Sequence, residues 1–193
     1  MRLDEVERGD GLSGRALIGL ISLVSGMRLP DAARVAFYHK RFLAGTLGGW
    51  TQRTMRGDSE WKVSERELMA AMVAKWNSCP FCIGAHRAVA IKGMDQATAD
   101  ACLRDYRTAP ISEKLKAILG YLETMTLTPG ALGAADARAV LAAGVSRTAL
   151  EDAVAVATLF AIITRYANAL NFAIPSEAEF DKAADMLLKR GYG

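Results

Sequence analysis

Residues 78–93 read SCPFCIGAHRAVAIKG, and this stretch decides how the rest of the chain is interpreted. It holds two of the three cysteines and one of the two histidines in a chain of 193 residues. Pro80 suits the first turn of a helix, where its missing N–H costs nothing. We therefore predict a helix with Ser78 or Cys79 as its N-cap, ending at Gly93.

Three chemically active side chains share one face of this predicted helix. Cys79, Cys82 and His86 are spaced i, i+3 and i+7, and the last two are an i, i+4 pair within side-chain reach. A thiol at the start of a helix is exposed to the positive end of the helix dipole, which favours the thiolate. Two thiols beside an imidazole are the groups that reversible thiol–disulfide chemistry needs.

A carboxylate lies twelve positions before the first cysteine of this pair. Glu67 opens a predicted helical run at residues 68–76, with Ser64 as the expected N-cap. One interpretation makes Glu67 the carboxylate of a capping box, three residues after the cap. In the other, the two helices pack antiparallel and Glu67 orients His86 as the third member of a proton relay.

Structural roles for the cysteines are the alternatives. A zinc site needs four ligands, and Cys79, Cys82 and His86 supply three clustered donors. A purely structural disulfide is disfavoured because two intervening residues close too small a loop to stabilise much. Cys102, near the end of an alanine-rich helix, is expected to fill the core.

The pattern Glu-x11-Cys-x2-Cys-x3-His, followed by a helix rich in small residues, resembles the alkylhydroperoxidase AhpD-like family within the carboxymuconolactone decarboxylase superfamily. Glu67, Cys79, Cys82 and His86 match it position by position, and the resemblance extends more weakly across about residues 60–172. It implies an all-α fold, an AhpD-like helical bundle. Similar helix openings at Ser64 and Ser112 suggest that the bundle was built from two similar halves.

The resemblance also implies an activity. Cys82 would be the peroxidatic cysteine and Cys79 the resolving one, in a peroxidase that reduces hydroperoxides without a bound metal or organic cofactor. His86 would pass a proton from Cys82, through water, toward Glu67. A dithiol protein or small thiol would then reduce the Cys79–Cys82 disulfide. Position on the helix alone favours Cys79 as the more acidic thiol, which conflicts with this order.

One departure from the family pattern keeps other functions open. Some relatives place a second histidine between the cysteines, where this chain has Phe81. The first alternative is a thiol–disulfide oxidoreductase or redox sensor with little peroxidase turnover. The second is a non-catalytic helical oligomer whose CxxC is a relic or a structural element. The paired cysteines argue against lactone decarboxylation.

Composition narrows the class of protein. Hydrophobic residues make up 51% of the chain, which suggests that neighbouring subunits cover some apolar surface, and the family resemblance implies a trimer or hexamer. The formal net charge of +3 is too small to indicate a nucleic-acid partner. An odd number of cysteines around a reactive-looking CxxC fits a reducing, cytoplasmic compartment.

The apolar run at residues 17–24 is the one segment that resembles a targeting signal. It follows the mixed charges of residues 4–8 rather than a basic segment, and it is too short to span a bilayer. We predict no membrane association. Residues 1–59 are expected to form helices that pack on the core or on a neighbouring subunit, and residues 60–193 the AhpD-like core with the CxxC site.

The rest of the chain also reads as helix. The expected segments are 15–25, one from Pro30-Asp31, a bent or broken stretch at 42–55, then 96–104, 112–127, 134–142, 148–172 and 177–189. The stretch 148–172 is the longest and most apolar, so it is expected to be the central buried helix.

Overall fold

Helices supply all the regular secondary structure in the computed structural model, which describes residues 1–192. The expected all-α fold is confirmed. Within that range there are eleven α-helices: α1 Asp4–Arg8, α2 Gly11–Ser25, α3 Asp31–Tyr38, α4 Gly48–Arg56, α5 Val63–Trp76, α6 Pro80–Ala90, α7 Gln96–Asp105, α8 Glu113–Leu127, α9 Ala134–Ala142, α10 Arg147–Leu170 and α11 Glu177–Arg190. A π-helix, Lys40–Leu47, runs directly into α4, and a short 3-10 helix, Pro129–Ala131, follows α8.

Side-chain caps set several of the helix starts where the sequence places them. Asp95, Ser112 and Ser146 each accept a hydrogen bond from the backbone N–H three residues on. The glycine-rich stretch before residue 56 is the π-helix followed by α4, which agrees with the expected break.

The start of α5 differs from the prediction. The helix begins at Val63 with Lys62 as its N-cap, and Glu65 accepts a hydrogen bond from the Lys62 N–H at 2.8 Å. Ser64 is therefore not the cap. Glu67 lies one residue beyond the first turn and faces the interior, so the capping-box interpretation of Glu67 is wrong.

The most deeply buried helix is α5, not α10 as expected. Ten of its fourteen residues are buried, because α4, α6, α7, α8 and α10 surround it. By contrast, α10 buries one side, lined by small and apolar residues such as Ala153 and Phe160, and exposes the other. A polar side chain on α5 that faces inward, such as that of Glu67, is therefore fully shielded from water.

One helix in residues 1–192, α10, is long and apolar enough to cross a membrane by length and composition alone. In this structure it packs against α4, α5 and α8 and contributes to their shared core. This is the arrangement of a core helix.

The first helices fold back onto the segment that follows α10. The backbone N–H of Arg2 donates to the carbonyl of Leu170, and the buried Asp31 carboxylate accepts from the Ala173 N–H at 2.7 Å. Val6 and Val35 join the apolar cluster that surrounds the cysteines. Of α2, only Ile18 is buried, and the helix exposes Leu12, Leu20, Leu23 and Val24.

Candidate active site

Two consecutive helices carry the residues that the sequence singles out. Glu67 lies on α5, and α6 carries Cys82 and His86 with Cys79 as its N-cap. Pro80 occupies the first position of α6, as predicted, and Ser78 adopts a left-handed backbone conformation (φ 51°) in the turn between the helices. The turn folds α6 back along α5, which is the closest helix pairing around the site.

The structure brings Glu67 and His86 into direct contact. A carboxylate oxygen of Glu67 lies 2.7 Å from Nδ1 of His86, and both side chains are buried. The edge of the His86 ring packs against Phe160 of α10, with ring centroids 4.4 Å apart. These contacts fix the plane of the imidazole and turn one of its nitrogens toward the carboxylate.

Two further residues complete the surroundings of Glu67. Arg56, at the end of α4, donates to Oε1 at 2.6 Å, and the Tyr192 hydroxyl lies 2.9 and 3.2 Å from the two carboxylate oxygens. The Arg56 guanidinium also stacks over the Tyr192 ring, 4.8 Å from its centroid. The buried carboxylate is therefore paired with a cation and fully hydrogen-bonded.

The protonation state of Glu67 follows from these partners. Burial alone would raise the pKa of Glu67, but the hydrogen bond and charge of His86, together with the Arg56 guanidinium, outweigh burial and hold that pKa below its usual range. Glu67 is thus a carboxylate at neutral pH and can stabilise a proton on the imidazole.

The two cysteines form a coupled pair with opposite proton affinities. A hydrogen bond from the Cys82 thiol, opposed by burial and supported by the Cys82 backbone N–H, lowers the pKa of Cys79 to about 7. The same thiol hydrogen bond, together with burial, raises the pKa of Cys82 far above its ordinary value. Cys79 at the helix start is therefore the more acidic thiol, as helix position alone suggests.

Cys82 and His86 are not hydrogen-bonded to each other within residues 1–192, although they lie one turn apart on α6. Both cysteines are free thiols and each is only 1% exposed. A proton moving between Cys82 and the imidazole needs an intervening water or a shift of a side chain.

Phe81, which lies between the two cysteines in the sequence, packs against two other aromatic side chains. It packs edge-on against Phe172, with centroids 5.2 Å apart, and against Phe180 at 6.0 Å. Position 81 therefore belongs to the apolar cluster that joins α6, α11 and the segment after α10. Cys79 and Cys82 are members of the same cluster.

The third cysteine has a structural position. Cys102 is fully buried in the main core, as predicted. In the described part of the chain, no three His, Cys, Asp or Glu side chains are grouped so that they could hold a metal ion.

Arg56 and Tyr192 both contact Glu67, and neither is expected from the sequence. Arg56 ends α4, and Tyr192 follows the last helix at a separation of 125 residues from Glu67. The available signal was indirect: a carboxylate buried on an apolar helix requires a cationic partner. The partner's identity depends on tertiary packing, which the sequence pattern does not encode.

Comparison with known proteins identifies the fold. No protein-family model matches the chain, and no curated protein matches it in sequence. Among solved structures, an uncharacterized peroxidase-related protein from Silicibacter sp. TM1040 has a TM-score of 0.77 at 22% identity, over 93% of each chain. A peroxidase-related alkylhydroperoxidase AhpD core protein from Ralstonia eutropha JMP134 has a TM-score of 0.74 at 21% identity, over 86% of each chain.

A third similar structure is that of a protein named for a different activity. The debrominase Bmp8 has a TM-score of 0.69 at 14% identity, over 86% of this chain and 89% of its own. A cysteine-to-alanine variant of Bmp8 in complex with 2,3,4-tribromopyrrole covers 97% of this chain and 90% of its own, also with a TM-score of 0.69. The resemblance to AhpD-like proteins seen in the sequence is thus confirmed at the level of the fold, and the chain has an AhpD-like helical fold.

Proposed function

We propose that the protein is a cysteine-dependent peroxidase that reduces organic hydroperoxides. The observation that carries the proposal is the buried Glu67–His86 pair, 2.7 Å apart, in which His86 lies one turn after Cys82 on α6. A structural dithiol has no need of a paired carboxylate and imidazole one turn away. A thiol that must lose a proton needs such a pair as its base, and an oxygen leaving group that must gain a proton needs it as its acid.

The proposed reaction uses the two thiols as a two-electron reductant. The Cys82 thiolate attacks the terminal oxygen of the hydroperoxide, the O–O bond breaks, and an alkoxide leaves as Cys82 becomes a sulfenic acid. The relay of His86 and Glu67 takes the Cys82 proton before attack and returns it to the alkoxide, which leaves as the alcohol. Cys79 then attacks the sulfenic sulfur and the S–O bond breaks as the disulfide forms. The departing hydroxyl group leaves as water, with the Cys79 proton or, when Cys79 is already ionised, with a proton from solvent.

The resting charge of the pair is compatible with this order. Cys79, with a pKa of about 7, is about half ionised at neutral pH, and the hydrogen bond from the Cys82 thiol stabilises its thiolate. Moving the Cys82 proton through water to His86 generates the Cys82 thiolate beside the relay. Cys79 is then positioned to resolve the sulfenic acid.

The surroundings of the thiols favour a small, apolar substrate. Both cysteines are 1% exposed and lie in a cluster with Phe81, Phe172 and Phe180. A small organic hydroperoxide gains from entering such surroundings, because its apolar part leaves water. The substrate class that fits best is therefore an alkyl or aryl hydroperoxide.

The cycle requires a second reactant. Two electrons from a dithiol protein or a small thiol must return the Cys79–Cys82 disulfide to its reduced form, and a reducing, cytoplasmic compartment supplies them. We propose a trimer or hexamer in solution, in which contacts between subunits cover the exposed apolar residues on α2.

Stopped-flow oxidation of the reduced protein tests the proposal. Cumene hydroperoxide should oxidise the protein faster than hydrogen peroxide does, with the loss of two thiols and the formation of one intramolecular disulfide by mass spectrometry. Cys102→Ala is the matched control and should react as the wild type does. Slow oxidation by both peroxides, with rapid reduction of a protein disulfide such as that of insulin, would instead favour the thiol–disulfide oxidoreductase.

Reductive dehalogenation is a second candidate, favoured by the aromatic cluster around the thiols and by the shared fold with the debrominase. In that reaction a thiolate attacks the halogen, the carbon–bromine bond breaks, and the carbanion takes a proton. The second thiol displaces bromide and a disulfide forms. Incubation of the reduced protein with 2,3,4-tribromopyrrole should then release one bromide per disulfide, and no bromide release would eliminate this candidate.

A further inference from the structure

The tail after α11, residues 191–192, brings an aromatic side chain onto the buried carboxylate of the site. The Tyr192 hydroxyl lies 2.9 Å from one oxygen of Glu67 and 3.2 Å from the other. The Tyr192 ring is nearly parallel to the His86 ring, with an interplanar angle of 22° and centroids 6.5 Å apart. The tyrosine therefore contacts the carboxylate of the proposed relay and lies beside its imidazole.

Specific contacts hold the tail in this position. The Tyr192 backbone N–H donates to the side-chain oxygen of Gln52 on α4 at 2.6 Å. Gly191 has a left-handed backbone (φ 72°), and an added Cβ there would lie 2.3 Å from the Gln52 amide. The positive φ favours glycine at position 191. The tail is thus held by the Tyr192 backbone N–H as well as by the phenol.

The phenol can act only as a donor to Glu67 under ordinary conditions. Burial, followed by the negative charge of Glu67, raises the pKa of Tyr192 well above its usual value. The hydroxyl keeps its proton throughout the range in which a thiol peroxidase works. Its O–H donates to a carboxylate that also accepts from Arg56 and contacts His86.

We propose that Tyr192 is a positioning residue for the reaction, and this inference rests on the proposed peroxidase function. Its hydroxyl holds the Glu67 carboxylate in the orientation in which one oxygen faces His86 Nδ1, and it adds a donor to those of His86 and Arg56 that keep Glu67 ionised. A carboxylate that loses one of its donors binds a proton more readily. Without the hydroxyl, Glu67 would rotate more freely and would take up a proton at higher pH.

Tyr192→Phe isolates the hydroxyl, because the ring and its stacking on Arg56 are retained. The matched control is Tyr106→Phe, which removes another tyrosine hydroxyl that donates to a carboxylate, that of Glu123 at 2.8 Å. Cumene hydroperoxide oxidation should slow about 3- to 10-fold in Tyr192→Phe, and the acid limb of its pH–rate profile should move up by about one pH unit. Tyr106→Phe should leave both unchanged.

A second readout separates this inference from the peroxidase proposal. The infrared band of the protonated Glu67 carboxyl, assigned by its loss in Glu67→Gln, reports the protonation of Glu67 whether or not the protein reduces peroxides. The band should appear at higher pH in Tyr192→Phe than in wild type. If it does so in a protein that peroxides do not oxidise, the peroxidase proposal fails and the action of Tyr192 on Glu67 stands.

An unchanged Glu67 titration and an unchanged pH–rate profile in Tyr192→Phe would overturn the inference and leave the tyrosine a packing role. Should Tyr192→Phe fold poorly, Gln52→Ala serves as the second variant, because it releases the backbone anchor of Tyr192 without touching the carboxylate. It should move the Glu67 band in the same direction, and a fixed band in Gln52→Ala would likewise count against the inference.

Discussion

The Glu67 carboxylate and Nδ1 of His86 lie 2.7 Å apart in the interior, although the two residues are 19 positions apart and on different helices. This contact forms only when α6 folds back along α5 in one particular alignment of the two helices. The turn at residues 77–79 imposes that alignment. The Asn77 N–H donates to the Val73 carbonyl, and the Cys79 N–H to the Ala74 carbonyl.

Glu67→Gln should slow oxidation by cumene hydroperoxide about 100-fold, the scale on which a positioned acid or base contributes. A neutral amide cannot stabilise a proton on His86, although it can still accept from Arg56. Because the guanidinium then lacks a buried counter-charge, unfolding should also become easier by about 1–3 kcal/mol. Stopped-flow kinetics and urea denaturation measure the two effects.

The matched control for that variant is Glu123→Gln, which changes a carboxylate bonded to Tyr106 and Arg107 rather than to the site. Its oxidation rate should equal that of the wild type. A Glu67→Gln protein that folds and reacts at the wild-type rate would remove Glu67 from the relay.

Alkylation of the reduced protein by iodoacetamide should show a midpoint near pH 7, the pKa of Cys79. Cys79 is a thiol below this pH and a thiolate above it, so the rate rises with pH through the midpoint. Peptide mapping should find the label on Cys79, because the pKa of Cys82 is raised by its hydrogen bond and that of Cys102 by burial. A midpoint near 9 would mean that the helix start and the Cys82 donor do not stabilise the thiolate.

The order of attack should be visible in single-cysteine variants. In Cys79→Ser, cumene hydroperoxide should leave a sulfenic acid at Cys82 that dimedone traps, because no resolving thiol remains. Cys82→Ser should show no fast phase. If Cys82→Ser is oxidised as fast as the wild type and dimedone traps a sulfenic acid at Cys79, the two roles are reversed. That is the order that the pKa values favour.

Local signals in the sequence were sufficient for the helices and for half of the site. Pro80 after an N-cap cysteine, the caps Ser112 and Ser146, and the i, i+4 spacing of Cys82 and His86 all depend on neighbours within a turn, and the structure has each of them. The start of α5 was misplaced because Ser64 resembles a better cap than Lys62.

Tertiary relationships were harder to obtain. Hydropathy marked α10 as the central helix, yet its outer side is exposed, and α5 takes that place because five helices surround it. Arg56 and Tyr192 reach Glu67 from sequence separations of 11 and 125 residues. No periodicity or capping rule connects such positions, so only the folded chain reveals them.

Gly84→Ala should destabilise the protein by about 1–3 kcal/mol, the usual effect of inserting a methyl group into a packed core. An added Cβ at position 84 would lie 2.5 Å from the Phe180 ring, and that ring is itself held against Phe81. The ring cannot move aside without displacing α11 from α6. Because the tail that carries Tyr192 follows α11, the oxidation rate should fall as well.

Gly19→Ala is the matched control for this substitution, since Gly19 lies within α2 and a Cβ there meets no atom within 4 Å. Alanine at an open helical position should stabilise the protein by up to about 1 kcal/mol. The two variants are therefore expected to shift the urea midpoint in opposite directions, with only Gly84→Ala slowing cumene hydroperoxide oxidation. Equal, small shifts for both would show that α11 does not pack on α6 at Gly84, and the route from α11 to Glu67 through Tyr192 would lose its structural basis.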